Sequence, residues 1–173
     1  MRQAERRART IAALVRAARP LLASAGYAGT SLDAIAARAE LSKGAVYAHL
    51  SSKVDLYLLV VEEVLDDAHR RLEGVARAIA SGAQPGAAAA SYFSADAREH
   101  AALMVDLWQV ATQDMLVHDQ LDLYRQDRLG VLAAAFVDAG RPPLAAREQA
   151  EMIAALIDSR LLDERLGLRA VAS

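Results

Sequence analysis

Apolar residues recur at three- and four-residue spacing along nearly the whole chain, and that period is the one a helix uses to bury a single face. Ile11, Leu14, Val15, Ala18, Leu21 and Leu22 form one such stripe, Leu103, Met104, Leu107, Trp108, Ala111 and Met115 another, and Ala150, Ile153, Ala154, Ile157 and Leu161 a third. Composition points the same way. The chain is 54% hydrophobic but only 5% aromatic, with alanine throughout, so good helix formers dominate and strand formers are scarce. The expected fold class is all-α.

Start and stop signals divide this pattern. A first helix is expected over 3–25, stopped by Gly26, with a bend at 16–20 because an interior proline, Pro20, costs about 3 kcal/mol. Thr30-Ser31-Leu32-Asp33 reads as a capping box opening a short second helix, and Thr30 is taken as its cap. Leu32, Ile35, Ala36 and Ala39 are its expected buried face. Ser42 is a natural N-cap for a third helix over 43–50, with Val46 and Leu50 inward. Ser52-Lys53-Val54-Asp55 opens a fourth helix, apolar on all sides from Leu56 to Val61 and therefore buried from several directions. After a Gly/Pro loop at 81–86, helices are expected over 87–98, 100–117, 119–139 and 144–166. The domain boundary is placed between residues 52 and 53, giving a head of 1–52 and a body of 53–173.

Several function classes recede at once. There is no cysteine, which excludes disulfides, thiolate metal ligands and thiol nucleophiles and suits a reducing cytoplasm. His69, His100 and His118 lie too far apart for a spaced metal motif, and no serine–histidine–acid arrangement stands out. Neither an enzyme, a metal site nor a cofactor is expected. The opening residues lack the apolar core of a secretory signal. The longest uncharged stretch, 78–95, contains Gly82, Pro85 and Gly86 and makes a poor membrane span. Charge is unevenly placed. Residues 1–60 carry nine Lys/Arg against four Asp/Glu, and residues 61–173 carry eleven against eighteen. A basic head on an acidic body suits a head that meets a polyanion.

Two short capped helices joined by a tight connection, at 30–50, have helix-turn-helix geometry, in which the start of the second helix meets base edges in the major groove. Ser42 and the amides that follow it would offer a positive N-terminus to phosphate. Gly44 and Ala45 are small enough for close approach. Lys43 puts a cation at the tip, and Tyr47 and His49 can reach phosphate or a thymine methyl. His49 could equally pack and bond its own backbone. Thr30 and Lys53 stand at the starts of the flanking helices, where further phosphates would lie. Such contacts supply affinity more than sequence readout.

The residues Ala17-Ala18, Gly26-Tyr27, Thr30-Ser31-Leu32, Ile35-Ala36, Ala39, Leu41-Ser42-Lys43-Gly44-Ala45-Val46-Tyr47-Ala48-His49-Leu50 and Ser52-Lys53 resemble the signature of the tetracycline-repressor (TetR) family over about residues 9–60. The family usually has glycine where this chain has Glu40, and phenylalanine where it has Leu50. The resemblance implies an N-terminal three-helix helix-turn-helix domain and a C-terminal helical domain that binds a small-molecule effector and dimerises through its last two helices. It implies a homodimer on a palindromic double-stranded DNA operator, acting as a repressor, with Ser31 joining the DNA-contacting residues named above. Tyr92, Phe93, Met104, Leu107, Trp108, Met115 and Tyr124 become candidates to line the effector pocket, although an aromatic and methionine stripe at this spacing is also what an ordinary core looks like. The alternative is an architectural DNA-binding protein of the same fold that answers to no effector.

Overall fold

The computed structural model of the chain describes residues 2–168. Among them are eight helices and no strand: α1 (Arg2–Gly29), α2 (Leu32–Arg38), α3 (Lys43–Tyr47), α4 (Lys53–Ala80), α5 (Pro85–Ala90), α6 (Ala97–Ala111), α7 (Met115–Asp138) and α8 (Pro143–Leu166). Two compact units divide between Val64 and Leu65. That point lies inside α4, beyond the expected boundary at 52/53. The physical reason is burial: Leu56, Tyr57, Val60, Val61 and Val64 are all nearly inaccessible, so the first turns of α4 complete the core of the first unit.

In that unit α1 packs on α2 and α2 on α3. Leu14, Ala18, Leu22, Ile35 and Val46 are at most 3% exposed, and burying a side chain of the Leu or Ile kind is worth roughly 1.5–3 kcal/mol. The helix continues through Pro20. Its non-helical residue is Gly26, at φ 69° and ψ 175°, a region open essentially to glycine alone. The cap of α2 is Ser31, one residue later than expected: its Oγ accepts from the Ala34 amide at 3.1 Å. The Thr30 hydroxyl instead donates to the Gly26 carbonyl at 2.8 Å, tying down the kink. The cap before α4 is reciprocal. Ser52 Oγ accepts from the Asp55 amide at 3.1 Å, and Asp55 Oδ2 accepts from the Ser51 and Ser52 amides at 2.8 and 3.0 Å.

The second unit is a bundle in which α5, α6 and α7 pack on α8, and α6 on α7. Met104, Leu107, Leu132, Ile153, Ile157 and Leu161 are at most 1% exposed. Two expected helices are re-divided here. The one over 87–98 shrinks to α5, which opens on Pro85 at its first turn, where a missing N–H costs nothing. The one over 100–117 stops at Ala111, because Asp114 Oδ1 accepts from the Leu116 and Val117 amides at 3.0 and 3.1 Å and so starts α7. Met115, counted with the core stripe of that helix, is 76% exposed.

Candidate nucleic-acid interface and body cavity

The turn before α3 sets the interface. Leu41 N–H reaches the Ala36 carbonyl at 2.9 Å and Glu40 N–H the Ala37 carbonyl at 3.1 Å, the paired bonds of a Schellman ending. This geometry asks for a left-handed residue, and Glu40 adopts it at φ 58°. Ser42 then caps α3, its Oγ accepting from the Ala45 amide at 3.2 Å. With Val46 1% and Leu50 5% exposed, the opposite side of this short helix faces outward. Tyr47 is 56% exposed, Lys43 and Gly44 are exposed, and Ala45 and His49 are half-buried. A Cβ on Gly44 would meet only Ser42 Oγ, at 4.0 Å, so packing within the chain does not require glycine there.

Lys43 Nζ sits 2.5 Å from Asp33 Oδ2 on α2, with both side chains largely exposed. This hydrogen bond and the carboxylate charge push the ammonium pKa up, so the cation persists at any physiological pH. Lys53 stands apart from this group: its ammonium donates to the Tyr27 carbonyl and lies 4.0 Å from the centre of the Tyr27 ring. Tyr27 in turn meets Tyr57 edge-on at 4.6 Å. Thr30, only 5% exposed, and Ser31 are occupied in closing α1 and capping α2. The structure therefore groups Ser42, Lys43, Gly44, Ala45 and Tyr47 on and around one exposed helix turn. Asp33 and Tyr27, the partners of the two lysines, had no signal in the sequence, because both contacts join residues at least ten positions apart.

The body contains a cavity of about 590 Å³ lined by Trp108, Ala111, Thr112, His118, Leu121, Asp122, Tyr124, Arg125, Arg128 and Asp158. Of the seven pocket candidates, Trp108 and Tyr124 are on its wall. Met104 and Leu107 are core. Phe93 lies beneath the Arg160 guanidinium, 4.5 Å from its ring centre. Tyr92, 1% exposed, shares a hydrogen bond of 2.9 Å with His100 Nε2, and His100 Nδ1 is 3.5 Å from Asp67 Oδ2. Burial pushes the phenols of Tyr92 and Tyr124 up, and hydrogen bonding of the Tyr124 hydroxyl with Tyr92 and Arg128 works against that rise. Arg128 holds Asp158 through both terminal nitrogens, at 2.6 and 3.0 Å. A signal for Arg128 was present: it continues the buried row Val117, Leu121, Tyr124 and Leu132 of α7, where a charge must find a partner. Among the described residues no group of three or more His, Asp or Glu could hold a metal ion, and no helix is long and apolar enough to cross a membrane.

A capped helix-turn-helix with an exposed second helix is the arrangement with which DNA-binding proteins of the helix-turn-helix class meet the major groove. Residues 14–60 match the family model of bacterial regulatory proteins, tetR family. The fold is shared with solved structures. A transcriptional regulator from Rhodococcus sp. Rha1 is 22% identical, with TM-score 0.75 over 90% of this chain and 83% of its own. GusR of Salmonella enterica is 23% identical, with TM-score 0.63 over 94% and 88%. AibR, solved with isovaleryl coenzyme A and operator DNA, is 20% identical, with TM-score 0.56 over 92% and 97%. No curated protein matches the sequence.

Proposed function

We propose that the chain is a repressor that binds a palindromic operator as a homodimer and is released by a small-molecule effector. The observation that carries the DNA-binding part is the exposed start of α3, where Ser42, Lys43, Gly44 and Tyr47 present a cation, a hydroxyphenyl ring and close backbone on one turn. Residues 1–52 would do this work in the cytoplasm, where the DNA is, and residues 53–173 would pair and sense. Tyr47 and Lys43 meet the groove and its phosphates, with His49, Ala45, Thr30, Ser31 and Lys53 bordering them. Two faces support pairing: α7 and α8 bury one side in the body, yet keep Leu116, Leu123, Met152, Leu156 and Leu162 at least 42% exposed. The cavity supports an effector, being in the size range of small-molecule sites, and AibR is a protein of this fold solved with both a small molecule and operator DNA. An effector releases DNA only to the extent that it binds the DNA-incompetent state better.

The test is binding of the purified chain to fragments of its own chromosome at several salt concentrations. One fragment is expected to be held far above random DNA, with affinity falling steeply as salt rises. Lys43→Ala should weaken binding to all sequences and lower the salt slope by about one, while leaving the melting temperature almost unchanged. A chain that holds no fragment better than random DNA would overturn the reading.

A further inference from the structure

A continuous run of polar side chains crosses the interior of the second unit. Tyr124 and Arg128 of α7 line the cavity, but the Tyr124 hydroxyl is closed off from solvent. It hydrogen-bonds with the Tyr92 phenol and with Arg128, whose terminal nitrogens hold Asp158 of α8. The Tyr92 hydroxyl also meets His100 Nε2 of α6 at 2.9 Å, and His100 Nδ1 lies 3.5 Å from Asp67 Oδ2 of α4. Arg71, one turn further along α4, reaches the same carboxylate at 3.3 Å. Its guanidinium also donates to the Tyr92 carbonyl at 3.3 Å, to Ser94 Oγ at 2.8 Å and to Asp96 Oδ2 at 2.7 Å. Tyr92 and His100 are 1% exposed, Arg128 5% and Tyr124 7%.

Such a chain responds as a unit. A hydroxyl has one hydrogen to give, so each phenol serves one neighbour as donor while accepting from another, and hydrogen bonds in a dry interior polarise one another. Removing one member leaves the next with a buried group unanswered. Packing alone does not demand these groups, since Ala68, Leu72 and Val75 of α4 are fully buried beside them in sequence and burying polar groups carries a desolvation cost. Tyr92 is the branch point: its phenol faces α7 and α6, and its carbonyl holds α4. The helix at the far end is shared between the two units, whose division falls within α4 after Val64, three residues before Asp67. We propose that this polar chain couples the cavity wall on α7 to α4, with Tyr92 passing a change at Tyr124 or Arg128 to Asp67 and Arg71. The proposal rests on the effector reading above and supplies the route by which an occupant of the cavity would bias α4; hydrogen-bond networks are one of the physical carriers of such coupling.

Hydrogen–deuterium exchange of the full chain, read by mass spectrometry on residues 65–72 of α4, tests this without any ligand. Tyr124→Phe alters only α7, yet should speed exchange of that α4 segment about fivefold, as should Tyr92→Phe. With both hydroxyls gone the effect should equal that of Tyr92→Phe alone, because a link already cut cannot be cut again. A merely structural role would give effects that add and that spread through the unit, so residues 146–154 of α8 serve as the reference and should change by less than about twofold. If Tyr92→Phe does not fold, His100→Gln takes its place in the cycle. No change at 65–72 in Tyr124→Phe, additive effects of the two substitutions, or an equal change in the reference segment would each overturn the proposal. DNA binding by the parent chain reports separately on the regulator reading, which survives any of these results if DNA is held.

Discussion

At the scale of single residues, two side chains are held in states they would not choose alone. Glu40 sits at φ 58°, where an L-residue pays roughly 1–2 kcal/mol and glycine does not, although glycine loses more freedom on folding, about 0.5–1 kcal/mol. Glu40→Gly is therefore expected to stabilise the head by about 0.5–1 kcal/mol, the difference of those two effects, and a melting curve checks it. Asp96 is the second case. Hydrogen bonds from Arg71, at 2.7 Å, and from the Ser94 hydroxyl, at 2.5 Å, hold its carboxyl down from 3.8 to about 2. A folded value below the unfolded one gives stability that is present above about pH 4 and lost as pH falls towards 2. Over that window the parent chain should lose more melting temperature than Asp96→Asn, so their curves converge on acidification. The effect is modest, since the Asp96 side chain is 56% exposed and solvent screens it.

At the scale of elements, the ends of helices matter more than their middles. The kink at Gly26 turns the end of α1 so that Tyr27 meets both Lys53 and Tyr57. Gly26→Ala would force a side chain into a glycine-only conformation and is expected to cost about 1–3 kcal/mol, measurable by denaturant unfolding. A cost near zero would show that the kink relaxes freely. α3 is too short to be stable alone. It is fixed by Ser42 at one end and by the buried Val46 and Leu50 on its inner side, which leaves its outer side free for a partner. On α7 and α8 apolar residues occur on two sides, and only one of these is buried within the chain.

At the scale of the whole molecule, those second faces are what the proposed pairing would bury. Leu123 is 69% exposed on α7 and Leu156 42% exposed on α8, and exposed apolar stripes of this kind mark interfaces. Leu123→Glu and Leu156→Glu together should convert a dimer to monomers in sedimentation while leaving helical content unchanged, and should weaken operator binding, because one head carries half of the contacts. Sedimentation of the parent chain as a monomer would remove pairing from the account.

The all-helical class, the Ser42 and Ser52 caps and the outward turn of Lys43 and Tyr47 could be read along the sequence, because periodicity and capping act between residues a few positions apart; Gly26, read as a stop, is instead a kink inside α1, which runs on to Gly29. The left-handed Glu40 was visible only as a departure from the family's glycine. What the tertiary structure alone decided depends on contacts between distant positions. Asp33 meets Lys43, Lys53 turns to Tyr27, Asp114 overrides an apolar stripe that seemed continuous, and Arg128 on α7 finds Asp158 thirty residues away on α8. A cavity is the space that separate helices fail to fill, so its wall of Tyr124, Arg125 and Arg128 exists only once those helices have packed.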